Sequence, residues 1–206
     1  TDADLAETLD QVAAADVDHV SAYSLIVEPG TRLAARVARG EVPDPSDDVA
    51  AHRYELIDNK LHTLGMTWYE VSNWAKPGGE CRHNIAYWRN QDWLGIGPGA
   101  HAHSAGTRSW NLKHPAAWAA RVDDGVSAIA DSEVLAAEDV KHEDIMLGLR
   151  LREGLPLTSL GEAGLTQAEL AVSEGLLVPQ EFANGKAVLT FQGRLLADGL
   201  VARLWA

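Results

Sequence analysis

From residue 3 to residue 73 the chain alternates between helix and strand patterns with short links, and this alternation limits the fold more than any other feature. Leu5, Leu9, Val12 and Ala13 recur at helical spacing, so residues 3–15 read as an amphipathic helix with Asp2 as N-cap. Residues 19–27 then form a nearly continuous apolar run of strand length, the pattern of a strand covered on both faces in a parallel sheet. Glu28-Pro29-Gly30 stops it, and Thr31 caps a short helix carrying Leu33 and Val37 that ends at Gly40. Asp48 caps a longer helix over 48–64, with Leu56, Ile57, Leu61 and Leu64 on one face and Gly65 just past its end. Thr67 to Asn73 is a second strand. This order predicts an α/β chain with a parallel sheet, and two strands are too few to complete one. In such folds ligands meet the carboxyl ends of the strands, here Val27-Glu28-Pro29 and Ser72-Asn73-Trp74.

The second of those ends leads into a stretch of different character. Residues 81–121 hold five basic side chains against one acid, inside a chain whose formal charge is -13. They also hold four of the eight His and four of the seven Trp. Loop-rich, glycine-rich sequence with that content suggests a cleft for a flat, anionic ligand. Trp93 to His103 and Thr107 to Asn111 are expected to pair as a hairpin around Ala105-Gly106. His114-Pro115 opens a helix to about Val122, with proline at the first helical position. Asp123-Asp124-Gly125 marks the expected domain boundary, giving domains 1–125 and 126–206.

Beyond it, residues 137–152 read as a helix, and Leu165 to Ser173 as another with Thr166 as its cap. Leu176-Leu177-Val178 and Ala187-Val188-Leu189 flank Asn184-Gly185, a strong hairpin signal. Thr190 caps a final helix bearing Phe191, Leu195, Leu196, Leu200 and Leu204. Helices, hairpin and helix approximate a winged-helix arrangement. A DNA-binding reading fails on charge, since residues 130–206 carry twelve acids and six bases.

Composition closes other routes. A chain of 206 residues can bury roughly 70% of its unfolded surface, so its core needs no staples. The single cysteine, Cys81, cannot form an intrachain disulfide, which favours a cytoplasmic location. No apolar run of about 18 residues is present, so no membrane span is expected. A pI near 4.9 argues against non-specific nucleic-acid binding. The chain begins at Thr1 and enters a helical pattern at once, and so reads as a fragment.

Chemistry concentrates in a few positions. His83 is followed one helical turn later by Tyr87 and Trp88, so the three fit one pocket, and imidazole is the usual axial ligand of haem iron. A hydrogen-bonded core histidine beside aromatics is the plainer alternative. His101 and His103 sit two apart on one strand face, but no third ligand lies at a telling spacing. Gly95, Gly97 and Gly99 alternate with Ile96 and Pro98, which would strip one face of a strand of side chains. That is either a bare edge for a planar group or a tight packing strand. No Lys-Ser/Thr follows, so it is not a phosphate loop.

His19-Val20-Ser21-Ala22-Tyr23-Ser24-Leu25 with Glu28-Pro29-Gly30-Thr31, then Tyr69-Glu70-Val71-Ser72-Asn73-Trp74-Ala75, then Cys81-Arg82-His83-Asn84-Ile85-Ala86-Tyr87-Trp88, then Gly95-Ile96-Gly97-Pro98-Gly99-Ala100-His101, occur in that order. Together they resemble the HemW family, the oxygen-independent coproporphyrinogen III oxidase-like branch of the radical SAM proteins. Residues 130–206 look like that family's C-terminal domain. The resemblance implies the C-terminal part of a partial (βα) barrel followed by a small winged-helix-like α+β domain. It implies haem contacts at His83, Asn84, Tyr87 and Trp88, and S-adenosylmethionine contacts at Gly97, Pro98, Gly99 and Ala100. It also implies a [4Fe–4S] cluster in the intact protein.

The family's Cys-x3-Cys-x2-Cys cluster motif is absent, and one thiol cannot supply three cluster thiolates. This chain alone is therefore expected not to perform radical chemistry, and no catalytic or metal-ligating residue is assigned. A haem chaperone that passes haem or porphyrin to acceptor proteins, as monomer or homodimer, is the function the resemblance implies. Oxidative decarboxylation of coproporphyrinogen III in porphyrin biosynthesis is the alternative.

Overall fold

A computed structural model describes residues 1–205, which form two compact units, residues 1–80 and residues 81 onward. In the first unit, helix α1 (Asp2–Ala15) is capped by Thr1 rather than Asp2, because the Thr1 hydroxyl accepts from the Asp4 amide at 3.3 Å. Thr31 caps α2 (Arg32–Ala38) as expected. Ser46, not Asp48, caps α3 (Asp47–Thr63), which closes at Gly65 with φ 76°.

The sheet of this unit departs from the expected parallel arrangement. Strands β1 (His19–Ser21), β2 (Thr67–Glu70) and β3 (Asn73–Ala75) lie in the order β1-β3-β2, with both pairings antiparallel. The cause is a reversal at Ser72, whose φ of 82° folds the end of the expected second strand back between its neighbours. Because β3 is only three residues long, β1 stops at Ser21 instead of running to Val27. One further bond, Ala22 N–H to Ser72 O at 2.9 Å, ends the pairing. Ile26 beyond it is 72% exposed.

Trp74 in β3 is the centre of this unit's core. It packs with Leu61 of α3 and Met66, surrounded by Val12, Val20, Ile57 and Trp68. Its indole N–H donates to Asp58 Oδ1 at 2.7 Å, which gives a buried polar atom a partner.

The second unit opens with α4 (Arg82–Trp88) and a sheet of β4 (His101–Ser104), β5 (Thr107–Asn111) and β6 (Ile129–Val134), antiparallel in that order. The turn at Ala105-Gly106 is as expected, both residues having positive φ. α5 (Pro115–Asp123) leads into β6, which pairs with β5 and so carries the sheet across residue 125. The chain's two compact units meet at residue 80.

The remaining helices are α6 (Ala137–Gly148), α7 (Glu162–Ser173), α8 (Pro179–Ala183), α9 (Phe191–Leu195) and α10 (Ala197–Leu204). Strands β7 (Leu155–Pro156) and β8 (Lys186–Ala187) form a short pair. Gly161, not Thr166, caps α7, and the Thr166 hydroxyl instead donates to Glu162 O. Leu177 does bridge Leu189, but Asn184-Gly185 is no two-residue hairpin turn. Pro179 at the first helical position starts α8 between the two segments, and Asn184 is its C-cap. The expected final helix is broken at Leu196, with Thr190 capping α9 through Gly193 N–H at 3.0 Å. Ile145, Leu149, Leu177, Leu200 and Leu204 are the buried centre of this packing. Among the described residues no helix is long and apolar enough to cross a membrane.

Candidate haem-binding site

Helix α4 displays the candidate residues on two adjacent stripes. His83 and Tyr87 are four apart and so share a face. Their rings meet edge-on, 4.6 Å between centroids and 66° between planes. Both are exposed, Tyr87 at 37%. The His83 ring makes no hydrogen bond to any described residue, so its nitrogens are open to a ligand. Asn84 and Trp88 occupy the neighbouring, half-buried stripe, and the Arg150 guanidinium carbon lies 5.9 Å from the Trp88 ring centroid. The expected trio in one pocket is therefore a pair facing out, with Trp88 turned beneath a cation.

The far end of α4 is tied down by charge. Arg89 donates to both oxygens of Glu153, at 2.9 and 2.7 Å, and Asn90 Nδ2 donates to Asp144 at 3.2 Å. The hydrogen bonds from Arg89 hold the Glu153 carboxyl below its usual range and raise the Arg89 guanidinium in return. Arg108 is also engaged, with Glu133 at 2.9 Å and Glu143 at 2.7 Å. The positive stretch is thus partly neutralised by acids from later in the chain. Arg82, next to His83, is exposed and forms no ion pair with a described residue.

Sequence reasoning missed Trp93. Its ring stands 4.8 Å from that of Tyr87 at 73°, and 5.0 Å from that of His103 on its other side. Its signal was its place two residues before Gly95, read there only as part of a strand. His101 and His103 do not act together: His101 lies exposed against Trp110, while His103 is buried against Trp93. Among the described residues no three His, Cys, Asp or Glu side chains gather as a metal site.

The Gly97-Pro98-Gly99-Ala100 segment is a loop and not the expected strand. Gly97 at φ 103° and Gly99 at φ 70° have left-handed backbone that a strand cannot hold. A Cβ on Gly95 would come 2.4 Å from His101 O, so this glycine permits a close crossing of two backbone segments. Asn111 Nδ2 donates to Gly95 O at 3.2 Å and Gly97 O at 2.9 Å, which fixes the loop. Ile96, just before it, is 86% exposed. In the other unit Asn73, from one of the two strand ends expected to face a ligand, lies in a polar network. Ser21 and Tyr23 meet buried Asn73, which donates in turn to buried Glu70.

The chain is 50% identical over 204 residues to the heme chaperone HemW of Mycobacterium tuberculosis strain H37Rv, covering 99% of this chain and 52% of that protein. Over the span it covers, the chain belongs to the HemW family. The Bacillus subtilis heme chaperone HemW is 31% identical over 202 residues, or 94% of this chain and 52% of that protein. The chain thus spans about half the length of these HemW relatives. No protein-family model matches the chain. Coproporphyrinogen III oxidase HemN of Escherichia coli, described as a radical SAM enzyme, has the same fold over 97% of this chain and 50% of its own, with a TM-score of 0.70 at 19% identity. That likeness gives this HemW-family chain the mixed α/β fold of part of a radical SAM protein.

The donor set present fits one imidazole-ligated haem, with an open histidine beside an aromatic ring on an exposed helix face. It does not fit an iron–sulfur cluster, because Cys81 is the only thiol and it sits at the N-cap of α4.

Proposed function

We propose that this chain carries the haem-binding part of a HemW-type haem chaperone. The observation that carries the reading is the pairing of His83 and Tyr87 on the exposed face of α4, with the imidazole nitrogens engaged by no described residue. An iron–imidazole bond would anchor haem there, and the Tyr87 ring would line one side of the macrocycle. Arg82, the neighbouring free cation, would meet a propionate. Asn84 and Trp88, half-buried on the next stripe, would support the helix and border the same ligand. The heme chaperone relatives carry the same reading by name. Haem-acceptor proteins are its partners and the cytoplasm its place of action.

S-adenosylmethionine contact belongs to the loop Gly97-Pro98-Gly99-Ala100, whose Gly97 carbonyl accepts from Asn111 and whose Pro98 is exposed. When bound, that cofactor would supply the adenosyl group characteristic of radical SAM proteins. A cluster must come from thiols other than Cys81. The coproporphyrinogen oxidase reading has no observation of its own here, since HemN shares the fold at 19% identity. Haem titration of this chain, followed by Soret absorbance, tests the proposal. Saturable binding with an imidazole-type spectrum that His83→Ala abolishes is the expected result. Binding that His83→Ala leaves unchanged in spectrum and affinity would remove the assignment.

A further inference from the structure

We propose that Trp93 is part of the haem-contacting surface beside His83 and Tyr87, and that His103 is the positioning residue behind it. The inference rests on the haem reading above and extends it to residues outside helix α4. His83, Tyr87, Trp93 and His103 form an unbroken run of rings, with successive centroids 4.6, 4.8 and 5.0 Å apart. The first two are exposed, Trp93 is half-buried and His103 is only 5% exposed. The run therefore descends from the helix surface into the fold.

A planar macrocycle ligated at His83 must lie against whatever flanks that imidazole, and the continuous aromatic surface there is Tyr87 followed by Trp93. Tyr87 meets Trp93 at 73°, so the two rings make a corner and not a stack. Such a corner offers one ring's edge and the other's face to a flat ligand. Trp93 is also rigidly placed. Its N–H donates to His103 O at 2.8 Å and its carbonyl accepts from His103 N–H at 3.1 Å.

His103 sets the plane of that indole. Its Nδ1 lies 3.3 Å from Gln91 O, and a carbonyl can only accept, so Nδ1 carries the proton. Nε2 is buried without a hydrogen-bond partner among the described residues. The imidazole is thus oriented by its polar bond to the carbonyl two residues before Trp93, by Asp92 Oδ1 3.9 Å from the same nitrogen, and by the indole it packs against. A phenyl ring would fill the same space but lacks the Nδ1–H that fixes the rotation.

The test uses this chain with Trp93→Ala, Trp93→Phe, His103→Ala, His103→Phe and the double variant Trp93→Ala/His103→Ala. Haem affinity and Soret position are read by titration, and thermal unfolding reports whether each variant is folded. Trp93→Ala is expected to weaken haem binding by about tenfold or more, the equivalent of one lost aromatic contact. The Soret position should stay put, because His83 remains the ligand. Trp93→Phe should recover most of the affinity, and it decides the question if the alanine variant does not fold. His103→Ala should weaken binding several-fold when Trp93 is present and have no further effect in the Trp93→Ala background, since a residue acting through another is silent without it. His103→Phe should fall between parent and His103→Ala.

A folded Trp93→Ala protein that binds haem within twofold of the parent overturns the contact role. Equal effects of His103→Ala with and without Trp93 overturn the positioning role. Failure of the parent chain to bind haem at all would overturn both this inference and the haem reading. Loss of affinity in Trp93→Ala with no effect of His83→Ala would instead sink the ligand assignment alone.

Discussion

Arg89 grips Glu153 through both carboxylate oxygens, with Nε at 2.9 Å and Nη2 at 2.7 Å. The pair ties the end of the haem-motif helix to the turn before β7, sixty-four residues later in the chain. Because the carboxyl of Glu153 is held below its usual range by these hydrogen bonds, the bond is linked to pH. A depressed folded-state value contributes stability that is present above the unfolded glutamate value, near 4.3, and disappears as pH falls through the lower folded value. Both side chains are nearly half exposed, so solvent screening limits the contribution to about 1 kcal/mol or less. Glu153→Gln should therefore lower Tm slightly at pH 7 and match the parent near pH 3. Thermal unfolding of the two proteins across that range checks it, and a difference that persists at pH 3 would show that charge is not what the pair supplies.

The same pair decides which arginine is free for a ligand. Arg89 and Arg108 are occupied by Glu153, Glu133 and Glu143, whereas Arg82 beside His83 pairs with no described residue. Arg82→Ala is expected to weaken haem binding by a few-fold, about 1 kcal/mol or less, with the effect shrinking at high salt. Arg89→Ala should instead cost stability. Titrations at two ionic strengths separate the cases, and equal haem losses from all three arginines would contradict the assignment.

Local signals placed the helices well, because spacing, caps and glycine stops act within a few residues. Thr31 and Thr190 cap the helices that the sequence marks, and Pro115 opens α5. Pairing partners were not legible. Residues 19–27 carry a buried-strand composition, yet only three of them pair, since register depends on a β3 created by the positive φ at Ser72. Asn184-Gly185 shows the same limit: a hairpin dipeptide became a helix C-cap once Pro179 started α8. At the site, the i,i+4 spacing put His83 beside Tyr87 correctly. It had no means of showing Trp93, whose place comes from a bridge to His103.

The apolar run after β1 should be the least protected part of its unit. Residues 23–27 lie outside any strand, and Ala22 makes the last bond to the sheet. Amide exchange in the chain is expected to be fast across 23–27 and slow at Val20 and Trp74, which are paired in the core. Protection at 25–27 equal to that at Val20 would mean that another segment or another copy covers this edge.

Gly193 and Gly199 offer a matched pair of substitutions in the last two helices. A Cβ on Gly193 would fall 2.0 Å from Leu176 O, while one on Gly199 meets nothing within 4 Å. Alanine favours a helix over glycine by about 1 kcal/mol, so Gly199→Ala should raise Tm modestly. Gly193→Ala must displace backbone, and overpacking of that kind costs about 1–3 kcal/mol or more. Denaturant unfolding of both variants checks the contrast. A Gly193→Ala protein as stable as the parent would mean that Leu176 moves aside freely.

The His83 substitution is the sharpest probe of the haem-motif helix. His83→Ala removes a coordinate bond to iron, and affinity should fall by orders of magnitude with the Soret band moving toward that of unligated haem. Tyr87→Ala removes only ring contact and burial, about 1.5–3 kcal/mol if complete, or roughly ten- to a hundredfold. Because Tyr87 is 37% exposed before any ligand arrives, part of that burial is gained on binding, so its loss should appear in affinity with little change in stability. Trp88 is the reverse case. It is half-buried under Arg150, so Trp88→Ala should lower Tm and weaken haem less than Tyr87→Ala does. The expected order in haem affinity is therefore His83, then Tyr87, then Trp88, with Arg82 last. Titration and thermal unfolding of the four variants test both columns of that ranking. If Trp88→Ala costs more affinity than Tyr87→Ala while leaving Tm unchanged, the ligand lies over the half-buried stripe of α4, and Asn84 would replace Tyr87 as the residue beside it.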